Sequence, residues 1–265
     1  LPFMIVSNLL IGTPAIDAIS KVFGPFLCRL FGVTRYGSFA IIAGFLCGYP
    51  MGGKVTADLV RKKYITWQEG QYLLSFTNNI SPMFIISYVV WQNLKDTSRT
   101  MPALLILILS PILCSFLFRI YYRPGARSRS SKCSPLPRAA AGSLMDSCIM
   151  NGFEAITKVG GYIMLFSILI ALFQNLPLNH FLFSLLFLPS LEMTNGIPLI
   201  CASSLPADAC FVLSLALTSF GGWCSVAQTR SMVQGTRLPI TPYLIEKLIT
   251  TLVTSLLAYT YIRLF

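Results

Sequence analysis

Apolar positions in this chain come in long runs, and the runs differ in whether polar residues interrupt them. Met101 to Tyr122 carries one charge, Arg119 near its end, and Gly160 to Leu178 carries none. As helices, each is long enough, or nearly so, to cross about 30 Å of hydrocarbon at about 1.5 Å per residue. Other runs are broken. Gly37 to Cys47 is too short to span, then Gly48-Tyr49-Pro50-Met51-Gly52-Gly53 halts the helix and Lys54 to Lys63 leads back to charge. That pattern predicts a re-entrant hairpin, because glycine and proline stop a helix and the chain must return to the side it left. A second hairpin is predicted from about Asn179 to Leu217, with its turn near Glu192 to Pro198. Between Trp67 and Trp91 an otherwise continuous span contains Ser75-Phe76-Thr77-Asn78-Asn79-Ile80-Ser81-Pro82, and a later span contains Ser219-Phe220-Gly221-Gly222-Trp223-Cys224-Ser225-Val226-Ala227-Gln228. Both predict broken helices, since non-helical backbone at membrane depth persists only where protein or a watery cavity satisfies its polar groups.

The chain also matches itself. Ala18-Ile19-Ser20-Lys21-Val22-Phe23-Gly24 and Ala155-Ile156-Thr157-Lys158-Val159-Gly160-Gly161 share five of seven positions. Ser75-Phe76 with Ser81 pairs with Ser219-Phe220 with Ser225, Gly52 with Gly196 in the same register, and Tyr121 to Arg123 with Tyr261 to Arg263. Three matches in one order predict tandem duplication, with a first membrane repeat at 1–125, a basic linker at 126–137 and a second repeat at 138–265. The predicted fold is an all-α integral membrane protein of two tandem inverted repeats, each holding a re-entrant hairpin and a broken transmembrane helix. One helix, a hairpin and two further spans cross three times per unit, which inverts the second copy.

Composition agrees: 55% of the 265 residues are hydrophobic, 11% are charged, and mean hydropathy is +0.71, too apolar for a domain solvated by water. The net charge of +11 sits in loops, with Arg61, Lys62 and Lys63 in one cluster and Arg119, Arg123, Arg127, Arg129, Lys132 and Arg138 in another. A positive-inside bias explains this more simply than nucleic acid, so the partners expected are a lipid bilayer and a small molecule, and the linker is expected in the cytoplasm. Eight cysteines without C-x-x-C spacing and a single histidine give no metal site or disulfide framework. The first residues lack a basic n-region and a cleavage site, so no removable signal is expected, and the absence of an initial Met suggests trimming.

Candidate chemistry gathers at the four interruptions. Gly48-Tyr49-Pro50-Met51-Gly52-Gly53-Lys54 imitates a phosphate loop, but Val55 stands where Ser or Thr is needed and no strand precedes it. As a hairpin tip it offers Gly48, Pro50, Gly52, Gly53 and Lys54 to an anion through free N–H groups and an ammonium; a surface turn with Lys54 snorkelling is the plainer alternative. Ser75, Asn78, Asn79 and Ser81 at the first break, and Ser219, Gly221, Gly222, Ser225 and Gln228 at the second, would line a substrate site or act as helix-to-helix glue. Glu192, Thr194 and Asn195 form the second tip. Glu192 has no local cation in sequence, which suits a coupling carboxylate, a partner for Lys54, or a hydrated interfacial group. Glu154 and Lys158 are one turn apart and should neutralise each other. No nucleophile, base and orienting group form a local motif, so an enzyme is not expected.

Gly48 to Lys54, the L-S-F-T-N-N-x-S-P-x-F-I-I run at 74–86, E-M-T-N-G at 192–196 and S-F-G-G-W-C-S-V-x-Q at 219–228 resemble the YlbJ family of sporulation integral membrane proteins, also called SpoVV. Members carry the nucleoside-recognition, or Gate, domain, and the layout is similar to that of concentrative nucleoside transporters. The chain is shorter at its N-terminus than many relatives. The resemblance implies a secondary transporter moving dipicolinic acid across the outer forespore membrane by alternating access. It leaves open a nucleoside or other small-metabolite symporter, a non-transporting scaffold for a sporulation complex, proton or sodium coupling, and homo-oligomer formation. No cofactor is implied.

Overall fold

Short polar caps divide the apolar runs into helices. A computed structural model describes residues 2–122, 141–175 and 183–264. The linker assigned to 126–137 therefore lies outside the described residues, as does the outer part of the second hairpin's first arm. The helices are α1 (Pro2–Gly12), α2 (Ala15–Phe31), α3 (Arg35–Cys47), α4 (Met51–Arg61), α5 (Trp67–Thr77), α6 (Pro82–Phe84), α7 (Thr100–Tyr122), α8 (Ala141–Gln174), α9 (Leu188–Leu191), α10 (Met193–Cys201), α11 (Ala207–Phe220), α12 (Gly222–Val233) and α13 (Ile240–Leu264). Helix α6 continues as a π-helical stretch, Ile85–Leu94, and α9 is preceded by another, Phe183–Phe187. The described residues contain no strand. Among the described residues five helical segments are long and apolar enough to cross a membrane: Trp67–Leu94, Thr97–Tyr122, Met145–Gln174, Ala207–Val233 and Ile240–Leu264. The protein is an all-α, multi-pass membrane protein.

Threonine and serine hydroxyls start the polar-flanked helices. The Thr34 hydroxyl accepts from Gly37 N at 3.2 Å, that of Thr66 from Glu69 N at 3.2 Å, and that of Ser81 from Phe84 N at 3.4 Å. Each satisfies one N–H that the first helical turn leaves without a partner. At Gly48 and Gly221 the backbone takes φ of 80°, which ends α3 and α11 where a β-carbon would be strained.

Contacts between remote segments show which ends lie together. Arg61 of α4 donates to the carbonyls of Met232 and Gln234, both at 2.7 Å, and the Trp67 indole donates to Arg237 O at 3.0 Å. Arg119, near the end of α7, donates to Leu30 O at 3.0 Å, and Tyr122 donates to Glu246. The ends of α2, α4, α7 and α12 therefore gather with the starts of α5 and α13, and this end carries Arg61, Lys62, Lys63, Arg119 and Arg237. At the opposite end Arg99 bridges Asp96 at 3.0 Å and Asp208 at 2.8 Å, joining the start of α7 to the start of α11. The Ser98 hydroxyl and the Arg99 guanidinium hold the Asp96 carboxyl below the usual carboxylate range.

The segment before the first hairpin is not one straight helix. Helices α1 and α2 meet at 95°. At the start of α2, Asp17 meets Arg35 and Tyr36 of α3, at 3.0 and 2.9 Å, while the other end of α2 meets Arg119. Both ends of α2 thus lie at the basic end, so α2 runs across the bundle rather than through it. Its outer face exposes Val22, Phe23 and Phe26 beside Lys21 and Arg29, the composition of a helix at a membrane interface. The matching segment of the second half, α8, is a single helix of 34 residues.

Candidate functional site

The first hairpin is α3 and α4, turned at Gly48 to Pro50, and it stands against the break between α5 and α6. Three glycines make this approach close enough. A β-carbon on Gly44 would lie 2.1 Å from Thr77 O, one on Gly52 2.3 Å from the same oxygen, and one on Gly48 2.7 Å from Ser81 N. Asn78 fastens the junction: its Oδ1 accepts from Gly53 N at 3.2 Å, and its amide donates to Thr229 Oγ1 at 2.8 Å and Tyr243 Oη at 2.9 Å. One side chain thereby ties the tip, the first break, α12 and α13.

The second hairpin is α9 and α10, turned at a single residue, Glu192, which is narrower than the turn expected over Glu192 to Pro198. Gly196 and Pro198 lie inside α10. This tip stands against the break between α11 and α12: a β-carbon on Gly222 would lie 3.0 Å from Ser190 O and 3.2 Å from Leu191 O. Within the hairpin, one on Gly196 would lie 2.3 Å from Pro189 O. Glu192 is 2% exposed and caps its own helix. Its Oε1 accepts from Thr194 N at 2.9 Å; its Oε2 accepts from Thr194 Oγ1 at 2.5 Å, Asn195 N at 2.9 Å and Asn195 Nδ2 at 2.9 Å. Asn195 reaches on to Ser167 Oγ of α8 at 2.8 Å. The carboxylate is neither hydrated at an interface nor paired with Lys54. Helix N-terminal N–H groups favour a negative charge there, which is why it needs no cation.

Where the two tips and two breaks meet there is a cavity of about 180 Å³. Seven of the residues expected at a site line it: Gly48, Ser81, Glu192, Thr194, Gly221, Ser225 and Gln228, together with Tyr49, Cys47, Cys224, Phe84 and Val159. The others fall around it. Gly52, Gly53, Asn78 and Gly222 form the hairpin-to-break contacts, and Asn195 bridges to α8. Ser75 is turned back on its own helix, donating to Tyr72 O at 2.6 Å. Pro50 precedes α4 as its N-cap residue. Ser219 Oγ bonds Thr254 Oγ1 at 3.0 Å, and that hydroxyl bonds Ser110 Oγ at 2.8 Å, linking the second break to α13 and α7.

Lys54 is elsewhere. Its ammonium donates to Asn8 Oδ1 at 2.6 Å and pairs with Asp58 at 2.9 Å, and it lines a separate cavity of about 500 Å³ between α1, α4, α8 and α12. It is one turn into α4 rather than at the tip, so it faces away from the meeting point. The pairing of Glu154 with Lys158 is present at 2.6 Å, with both side chains exposed.

Lys247 of α13 stands beside the first tip. It is 1% exposed, its ammonium donates to Asn79 Oδ1 at 3.0 Å, and it stands 5.0 Å from the centroid of the Tyr49 ring. Asn79 is fixed in turn by donating to Phe76 O at 2.6 Å. Tyr49 Oη donates to Ser219 O at 3.0 Å, so the ring joins the first tip to the second break and separates Lys247 from the cavity. Among the described residues no carboxylate lies within ion-pair distance of the Lys247 ammonium.

No family model matches the chain. Among curated proteins it is similar to the sporulation integral membrane protein YlbJ of Bacillus subtilis (strain 168), with 24% identity over an alignment of 283 positions that covers 94% of this chain and 69% of the relative. No solved structure matches the chain. Sequence reading overlooked Lys247 and its neighbour Glu246, although a signal was present: Glu246-Lys247 are charges seven residues into an apolar span, where charge is costly enough to need a purpose.

Proposed function

We propose that this protein is a secondary transporter for a small planar dianion, dipicolinic acid, which it moves across the outer forespore membrane by alternating access. The observation that carries the proposal is Lys247: a buried ammonium, without a carboxylate partner among the described residues, at the junction of the first hairpin tip, the first break and the last helix. A lone buried cation is expensive, and an anionic ligand offsets that cost with a charge-assisted hydrogen bond. The amides and hydroxyls around the neighbouring cavity can orient such a ligand, and the Tyr49 ring between cavity and ammonium would turn aside for the two to meet. A sporulation integral membrane relative fits the proposed setting.

The halves read as inverted repeats. The first hairpin opens toward the basic end and the second toward the end held by Arg99 and Asp208. The broken span of the first half leaves the basic end at Trp67, and that of the second half returns there at Val233. With the basic end in the cytoplasm, the positive-inside rule is obeyed. Alternating access would move the hairpins and breaks against the remaining spans. The nucleoside alternative draws less support, because Glu192, the carboxylate that would hold a ribose, is taken up by its own cap.

Thermal unfolding of the purified protein in detergent tests the proposal, since a ligand that binds only the folded state raises the midpoint. Dipicolinate should raise it, uridine should not, and Lys247→Met should abolish the shift. A midpoint indifferent to dipicolinate sinks the proposal.

A further inference from the structure

Glu246 is the buried carboxylate that no role so far accounts for. It is 5% exposed, in the second turn of α13. Its Oε1 accepts from Tyr122 Oη, while its Oε2 is buried with no hydrogen-bond partner. Across the same junction Gln71 of α5 donates to Pro239 O at 3.4 Å and leaves its own Oε1 buried and unpartnered. Two buried acceptor oxygens without donors are costly. A proton removes part of that cost directly, because a protonated carboxyl turns one acceptor into a donor.

The charges around Glu246 do not supply a substitute. On its own helix, Lys247 points to Asn79 and Tyr243 is engaged with Asn78. On α7, Arg119 is held by Leu30 O, and Tyr122 already donates to Oε1, with Tyr121 stacked edge-on against it. On α5, Glu69 accepts from Thr34 N at 2.5 Å, and Tyr72 donates to Phe31 O. The charge on α12, Arg230, is exposed, and that on α11, Asp208, is engaged by Arg99 at the opposite end. Glu192, the coupling carboxylate suggested by sequence, has donors on both oxygens.

We propose that Glu246 binds the proton that couples transport to a pH gradient. In one conformation Oε2 takes a proton from water reaching the basic end, forming an O–H bond; in the other, that bond breaks and the proton passes to water on the far side. No electrons move. Lys247, the next residue, faces the substrate junction, so helix α13 carries the proton group and the anion's counter-charge side by side. The inference rests on the transporter reading given above.

Reconstituting the protein in liposomes tests both layers separately. Exchange of labelled for unlabelled dipicolinate, with no gradient, reports transport alone. Accumulation under an imposed pH gradient reports coupling, and should approach about tenfold per pH unit for each proton moved with the substrate. Glu246→Gln should retain exchange and lose the accumulation. Absence of exchange in the native protein overturns the transporter reading and this proposal with it. Exchange without any response to a pH gradient of either polarity, or accumulation driven by sodium alone, overturns the proton assignment and leaves the transporter standing. So does a Glu246→Gln protein that still accumulates, or one that is monodisperse yet loses exchange. Should Glu246→Gln not fold, Tyr122→Phe is the second variant: it removes the donor to Oε1 and should displace the pH profile of accumulation, and an unmoved profile rejects the proposal.

Discussion

The two hairpin tips have similar shapes and opposite chemistry. Glycine allows each tip to approach a break closely, Gly44 and Gly52 of the first hairpin at Thr77, and Gly222 of the second break at Ser190 and Leu191. The first tip places an aromatic ring over a buried ammonium. The second closes a carboxylate onto its own helix N-terminus and leaves little of that charge to offer. Two hairpins can therefore pack alike against their breaks while dividing the electrostatic work: an ammonium stands beside the first, and the carboxylate of the second is held by its own helix.

The strongest way to break this comparison is to separate packing from charge. Gly44→Ala and Gly52→Ala drive a β-carbon to 2.1 and 2.3 Å from Thr77 O, and backbone is what must yield. Both should abolish the folded, monodisperse protein on size-exclusion chromatography. Gly160→Ala and Gly161→Ala in α8 meet nothing within 4 Å; they should fold normally and gain about 0.5–1 kcal/mol of helix propensity. Next in size, Lys247→Met should leave protein level near normal and reduce dipicolinate accumulation in spores to background, whereas Lys247→Arg should retain part of it, because only the charge is kept. Glu192→Ala should lower the unfolding midpoint, by about 1–3 kcal/mol of lost capping and hydrogen bonds, yet keep dipicolinate-induced stabilisation. Loss of that stabilisation with an unchanged midpoint would reverse the roles given to the two tips. The smallest effect is expected at the exposed pair: Glu154→Gln should change neither midpoint nor accumulation.

Much of the architecture was legible because membrane helices leave coarse marks. Uninterrupted apolar runs such as Met101 to Tyr122 and glycine or proline breaks such as Gly48 to Pro50 are local features, and local features can be read along a chain. The bend between α1 and α2 falls at Gly12-Thr13-Pro14, a break the sequence displays, but nothing local sets the 95° between the two helices. The placement of charges was hidden for a different reason. Whether Lys54 or Lys247 faces the junction depends on helix rotation: Lys54 sits one turn past its tip and finds Asn8 and Asp58, residues set by packing of α1 and by α4 itself. Lys247 lies 168 positions from Asn79, and no spacing rule connects them. Glu192 looked like a lone charge because its partners are backbone N–H groups and the neutral side chains of Thr194 and Asn195, none of them a cation.

Asn78 has a consequence for how such a molecule could move. Its amide reaches Thr229 and Tyr243 while its carbonyl holds Gly53, so four segments share one small side chain with no slack between them. The first tip cannot slide along its break without surrendering that amide's contacts together. Asn78 would thus act as a latch, making rearrangement at this corner a single concerted event rather than a gradual drift of helices.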